Sequence, residues 1–145
     1  KGGVVAADAK RESDGATPLG TWKLRPGFWR ADRLARPRST LSFREIEPGM
    51  YWDDDPASPS YNTLQYGGPA DHPERLMRSD SVYDIVVPMG FNDDPIVAGR
   101  GSAIFLHVAR PDLSPTAGCV ALARDDLLAV LEALGEAPVI DIRRD

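Results

Sequence analysis

The sequence predicts a single, mainly β domain with one or two helices packed on it. Three observations carry this reading. Thirteen Gly and 13 Pro in 145 residues cut the chain into short apolar runs, more punctuation than a helical bundle carries. Two of those runs, Val82 to Val87 and Ser102 to Val108, are rich in β-branched or apolar residues and too short for helices. Only one stretch, after Cys119, keeps helical spacing for several turns. With 42% hydrophobic residues, a chain of 145 can bury a real core as one domain spanning 1–145.

Taken in order, Val4-Val5-Ala6-Ala7 reads as the end of an opening strand, followed by a polar turn from Lys10 to Gly15. Thr21 to Leu24 alternates like a strand. Arg25 to Arg44 is basic, and Asp53-Asp54-Asp55 is its compact acidic counterweight; such charges ordinarily solvate a surface. Between Pro48 and Pro73 the chain mixes Pro, Gly, Asp and Ser with Tyr51, Trp52, Tyr61 and Tyr66. That composition predicts a long ordered loop, either functional or plugging the core edge. Glu74 to Arg78 reads as a short helix leading into the Val82 strand, and Asn92-Asp93-Asp94-Pro95 as a turn. The Ser102 strand is nearly continuously apolar, so it is expected to be central and covered on both faces, with His107 near its end. The helix after Cys119 has Leu127, Leu128, Val130, Leu131 and Leu134 at helical spacing, Asp125 and Asp126 near its start, and Gly135 as a stop. Pro138 to Arg143 closes as a strand.

The charge balance limits the function classes. Seventeen basic against 22 acidic residues leave a net charge of -5, which gives no electrostatic reason to bind nucleic acid or an anionic membrane surface. No run approaches the roughly 20 apolar residues that span a bilayer. The chain starts at Lys1 without a Met, which leaves open that an export signal or an upstream strand has been removed.

One cysteine cannot form an internal disulfide or a thiolate cluster. Free cysteines are most often small buried hydrophobes, and only a thiolate-favouring neighbourhood makes one a nucleophile. Cys119 has His107 twelve positions earlier, at the end of a strand, and Gly118 beside it to let the backbone turn and aim amide N–H groups at one point. On spacing alone a hydrogen-bonded histidine and a core cysteine explain the pair better than catalysis does, because a Cys and a His a dozen residues apart recur by chance. A zinc site from His72, His107 and Cys119 lacks the usual ligand spacing, so no metal is expected.

The tract Ile104-Phe105-Leu106-His107, then Thr116-Ala117-Gly118-Cys119-Val120-Ala121-Leu122, resembles the active-site signature of the L,D-transpeptidase catalytic domain, the YkuD-like family. Thr17-Pro18-Leu19-Gly20 is similar to the family's Thr-Pro-x-Gly hairpin, and the segments around Tyr83 to Val87, Asn92 to Pro95 and Gly99 to Ser102 resemble a bacterial subgroup of it. The resemblance runs over nearly the whole chain. Two positions depart: Ala117 stands where many members carry a second His, and Ala121 where many carry Asn or Arg.

The resemblance implies a mixed, largely antiparallel β-sandwich or half-barrel. It implies a peptidoglycan L,D-transpeptidase in the periplasm or cell envelope, with no cofactor, acting as a monomer on donor and acceptor stem peptides. Cys119 would be the nucleophile, His107 its base, Gly118 an oxyanion donor, and Thr116 a residue that orients the loop or bonds His107. Arg100 and Arg110 are the candidates for stem carboxylates. Tyr83, Trp52, Asp53 and Asp54 are further substrate-binding candidates, the acidic pair for the acceptor amine. Hydrolysis through the same thioester, or a non-catalytic wall-binding domain, are the alternatives.

Overall fold

The computed structural model describes residues 1–145. Strands β1 (Val4–Val5), β2 (Thr17–Pro18), β3 (Gly20–Lys23), β4 (Gly27–Trp29) and β5 (Phe43–Glu45) come first, with a 3-10 turn at Ala7–Ala9. They are followed by β6 (Tyr51–Trp52), β7 (Leu64–Gln65), β8 (Ile85–Pro88), β9 (Phe105–Val108) and β10 (Val120–Leu122). Helix α1 (Arg124–Ala133) and strand β11 (Val139–Ile142) close the chain.

The central sheet is mixed, in the order β10-β9-β8-β4-β5. Strand β9 is parallel to β10 and antiparallel to β8; β8 is antiparallel to β4, which is parallel to β5. Smaller pairs complete the fold: β1 with β2 in parallel, β3 with β11 and β6 with β7 antiparallel. This is the mainly β, multi-sheet architecture with one helix that the punctuation predicts.

Alternation along β8 and β9 feeds two cores, one on each face. Ile85, Val87, Leu106 and Val108 pack with Leu24, Trp29, Phe43, Leu127 and Leu131. Leu127 and Leu131, one helical turn apart and fully buried, attach α1 to this face. Val86 and Phe105 point the other way and pack with Met50, Leu76, Val82 and Tyr83, supplied by the long aromatic segment and the turn after it. Cys119 packs against this second cluster.

Several local expectations are corrected. Glu74 to Arg78 is a chain of turns, not a helix: Leu76 is fully buried and its N–H donates to the Met50 carbonyl at 2.9 Å, while Arg75 bridges to Tyr51. Core insertion and cross-chain pairing outweigh the weak helix propensity of five residues. Strand β8 begins at Ile85 because Val82 to Asp84 forms a turn, with the Asp84 N–H donating to the Ser81 carbonyl at 3.0 Å. The basic segment does more than solvate a surface. Arg30, 7% exposed, donates to the Arg78 carbonyl at 2.6 Å, and Arg33 binds the buried Asp84 carboxylate at 2.7 Å, so together they hold the segment from Arg78 to Asp84. Thr17 to Gly20 is not a hairpin, since β2 pairs with β1 and β3 with β11. Helix α1 ends before Gly135, and the left-handed residue after it is Ala137 at φ 48°.

Candidate active site

On β9, Phe105 and His107 are two residues apart and share a face. The parallel register of β10, with Val120 opposite Leu106 and Ala121 opposite His107, brings Cys119 beside Phe105 on that same face. Cys119 and His107 therefore open into one cleft of about 380 Å³, shared with Tyr83, Glu74, Asp54, Arg110, Thr116 and Ala117.

The thiol is tethered to backbone rather than to imidazole. Its S–H donates to the Ala103 carbonyl at 3.3 Å and its sulfur accepts the Phe105 N–H at 3.4 Å. Burial pushes the Cys119 thiol up to about 12, with the Glu74 charge adding to it and the Phe105 N–H and Lys10 opposing it. His107 is 4% exposed, and burial holds its imidazole below the usual 6.5. A carbonyl can only accept, so the 2.9 Å contact of His107 Nδ1 with the Val108 oxygen fixes the proton on Nδ1 and leaves the Nε2 lone pair free as a base. At rest the pair is thus neutral thiol and neutral imidazole. Alkylation of the free protein by iodoacetamide is accordingly expected to keep accelerating with pH through about pH 9, with no early plateau. A plateau near pH 6 would mean a preformed thiolate–imidazolium pair.

The carbonyl that holds the thiol is itself held from afar. Ala103 sits in the left-handed region at φ 54°, which costs an L-residue about 1 kcal/mol or more, and its N–H donates to Asn62 Oδ1 at 3.1 Å. The same oxygen accepts the Trp52 indole N–H at 2.9 Å, and Asn62 Nδ2 donates to the Asn92 carbonyl at 2.7 Å. Asn62 is 6% exposed. This is why Ser102 to Ile104 is not strand, and it shows what the aromatic segment does for the cleft, which is to set the backbone beside the thiol.

The loop before Cys119 is closed by Thr116, whose hydroxyl donates to the Cys119 carbonyl at 2.6 Å and loosely accepts the Gly118 N–H at 3.4 Å. Thr116 orients the loop and does not bond His107. Gly118 has φ 117°, and a Cβ there would lie 2.7 Å from the Ala16 carbonyl oxygen. Its own carbonyl accepts the Thr17 hydroxyl at 2.8 Å. The α1 dipole contributes little at the sulfur, because three extended residues of β10 put the helix start roughly 10 Å further on.

The other sequence candidates separate. Arg110, Tyr83 and Asp54 line the cleft. Arg110 takes part in none of the ion pairs, and burial raises the Asp54 carboxyl. Arg100 does not line it; its guanidinium goes to the Ala7 carbonyl at 3.4 Å. Trp52 lies behind the cleft, edge-on to Phe105 at 5.1 Å. Asp53 is 7% exposed and accepts the Ser58 and Ser60 hydroxyls at 2.5 and 2.6 Å, which ties its own loop together and removes it from the cleft.

Sequence reasoning missed Glu74, Lys10, Glu12 and Arg78, all of which line the cleft. Lys10 is 2% exposed and bound to Asp14 at 2.5 Å. Glu12 accepts the Tyr61 hydroxyl and, at 2.7 Å, that of Ser102. Arg78 makes a bidentate pair with Asp80 at 2.8 and 2.7 Å and lies over the Tyr83 ring at 5.2 Å. A charged residue inside an otherwise polar, turn-rich stretch gives no local signal that it faces a cavity.

Among known protein families, the YkuD model, L,D-transpeptidase catalytic domain, aligns with residues 2–142. No curated protein and no solved structure matches the chain. With a sheet that sets a cysteine and a histidine in one cleft, and a family match from residue 2 to 142, the chain belongs to the L,D-transpeptidase catalytic domain family.

Proposed function

We propose that this domain is a peptidoglycan L,D-transpeptidase of the cell envelope, with Cys119 as nucleophile and His107 as general base. The observation that carries the reading is the shared face of β9 and β10, which opens one thiol and one imidazole with a free Nε2 into the same cleft. The family acts on peptidoglycan stem peptides, and the chemistry of the cleft suits them.

The resting thiol turns from the Ala103 carbonyl toward His107, and Nε2 takes its proton as sulfur attacks the carbonyl of a donor stem. The oxyanion meets the amide N–H groups of Cys119 and Gly118; the latter is held by Thr116 at only 3.4 Å and is readily surrendered. His107 returns the proton to the leaving amine, a thioester remains, and an amine of a second stem resolves it into a cross-link. Arg110, unpaired within the protein, binds a stem carboxylate, and Asp54 faces the acceptor amine.

Incubating the protein with muropeptides and reading the products by mass spectrometry tests this. Cross-linked dimers are expected, together with a covalent carbapenem adduct on Cys119. Shortened monomers alone would make the domain a hydrolase working through the same thioester. No adduct and no product would leave a non-catalytic wall-binding domain.

A further inference from the structure

Resolving a thioester with an amine is a problem in protons. An ammonium acceptor carries three, the new amide keeps one, and the departing sulfur recovers one by way of His107. One proton is left over. His107 is the only imidazole among the residues lining the cleft, and Ala117 occupies the place of a second.

Glu74 is the carboxylate placed to take that proton. It lines the cleft with Cys119, and its charge is felt at the sulfur. Its Oε2 accepts the Tyr83 hydroxyl at 2.9 Å, and the Tyr83 ring meets His107 edge-on at 5.5 Å. Its other oxygen has no hydrogen-bond partner in the protein and is not sealed off from the cleft. Its neighbour Arg78 is committed to Asp80, so Glu74 takes part in no ion pair. The other acids of the cleft are less suited: Glu12 is engaged by the Tyr61 and Ser102 hydroxyls, and Asp54 has no comparable link to the His107 side. The Glu74 backbone is fixed at both ends, its N–H donating to His72 Nδ1 and its carbonyl accepting the Trp52 N–H, each at 3.0 Å. Burial raises its carboxyl, which makes it a stronger base than an exposed glutamate.

We propose that Glu74, oriented by Tyr83, is the general base for the acceptor amine in the second half-reaction, and so favours transfer over hydrolysis. The inference rests on the acyl-transfer reading above. The ammonium, drawn into the cleft by Asp54, docks against the open Glu74 oxygen and gives it one proton. The freed nitrogen lone pair attacks the thioester carbonyl, the C–N bond forms and the C–S bond breaks. His107 carries a second nitrogen proton to sulfur, and Glu74 releases its own to solvent.

The test compares wild type with Glu74→Gln, using donor and acceptor stem peptides and mass spectrometry. Thioester formation and shortened monomer are not expected to fall, since losing the Glu74 charge can only ease thiol ionisation, while dimer falls by at least about 10-fold, general-base catalysis being worth about 10²–10⁴. Hydroxylamine, already neutral at pH 7, should resolve the thioester equally fast in both proteins. An unchanged dimer yield, or an equal loss with hydroxylamine, would overturn the Glu74 role alone. A wild-type protein that never forms the thioester would remove the acyl-transfer reading and this role with it. Should Glu74→Gln not fold, Tyr83→Phe, which strips one hydrogen bond from the carboxylate, must lower the dimer-to-monomer ratio; an unchanged ratio overturns the assignment.

Discussion

Cys119→Ser is expected to lower acyl transfer by roughly 10³-fold or more without unfolding the protein. A serine hydroxyl can still donate to the Ala103 carbonyl and accept the Phe105 N–H, the two contacts that hold the sulfur, so the local packing has little reason to change. Its chemistry changes completely. Even pushed up to about 12, the thiol is far easier to deprotonate than an alcohol, and His107, bonded through Nδ1 to the Val108 carbonyl rather than to a carboxylate, lacks the partner that serine activation relies on. The checks are single-turnover kinetics with a donor stem and intact mass after carbapenem treatment, beside a thermal melt. A variant that melts like wild type yet acylates at a comparable rate would move the nucleophile away from position 119.

Gly118→Ala should produce the second large effect, this time on stability as well as chemistry. The position combines φ 117° with an ideal Cβ 2.7 Å from the Ala16 carbonyl oxygen, and that oxygen belongs to backbone. Strain and overlap together should destabilise the fold by about 3 kcal/mol, which for a domain of this size lowers the melting temperature by roughly 6 to 12 °C. Relief requires the 116–119 loop to part from β2, which breaks the Thr17 hydroxyl bond to the Gly118 carbonyl and displaces the Cys119 amide. Thiol alkylation and donor acylation should therefore fall even well below the melting point. A melting temperature within a degree of wild type would contradict the contact.

The fold was legible where local pattern and tertiary demand coincide. The strand from Ile85 to Val87, the strand carrying His107, and the Leu127–Leu131 face of α1 all bury the side chains their spacing predicts. The pattern failed where a distant partner decides the backbone. Nothing near Ala103 announces φ 54°, because the acceptor that supports it is Asn62, 41 residues earlier. Glu74 to Arg78 has helix-friendly residues, but Leu76 is drawn into the core beside Met50. At the cleft, His107, Thr116, Gly118 and Cys119 were readable as a signature, since they lie close together in sequence, and Arg110 was named beside them as a carboxylate candidate. Glu74 was not: it enters the cleft from a turn fixed by His72 and Trp52, a relation that no spacing rule encodes.

The protonated state of Cys119 has a bearing on the protein's chemical lifetime. It is the thiolate, not the thiol, that attacks peroxides, and a sulfenic acid is normally rescued by a neighbouring thiol. With one cysteine in the chain there is no such partner, and oxidation would run on to irreversible acids. A sulfur that keeps its proton against the Ala103 carbonyl until an acyl donor fills the cleft is shielded from that loss. Reluctance to ionise, which looks like a handicap for a nucleophile, is then what preserves it between turnovers.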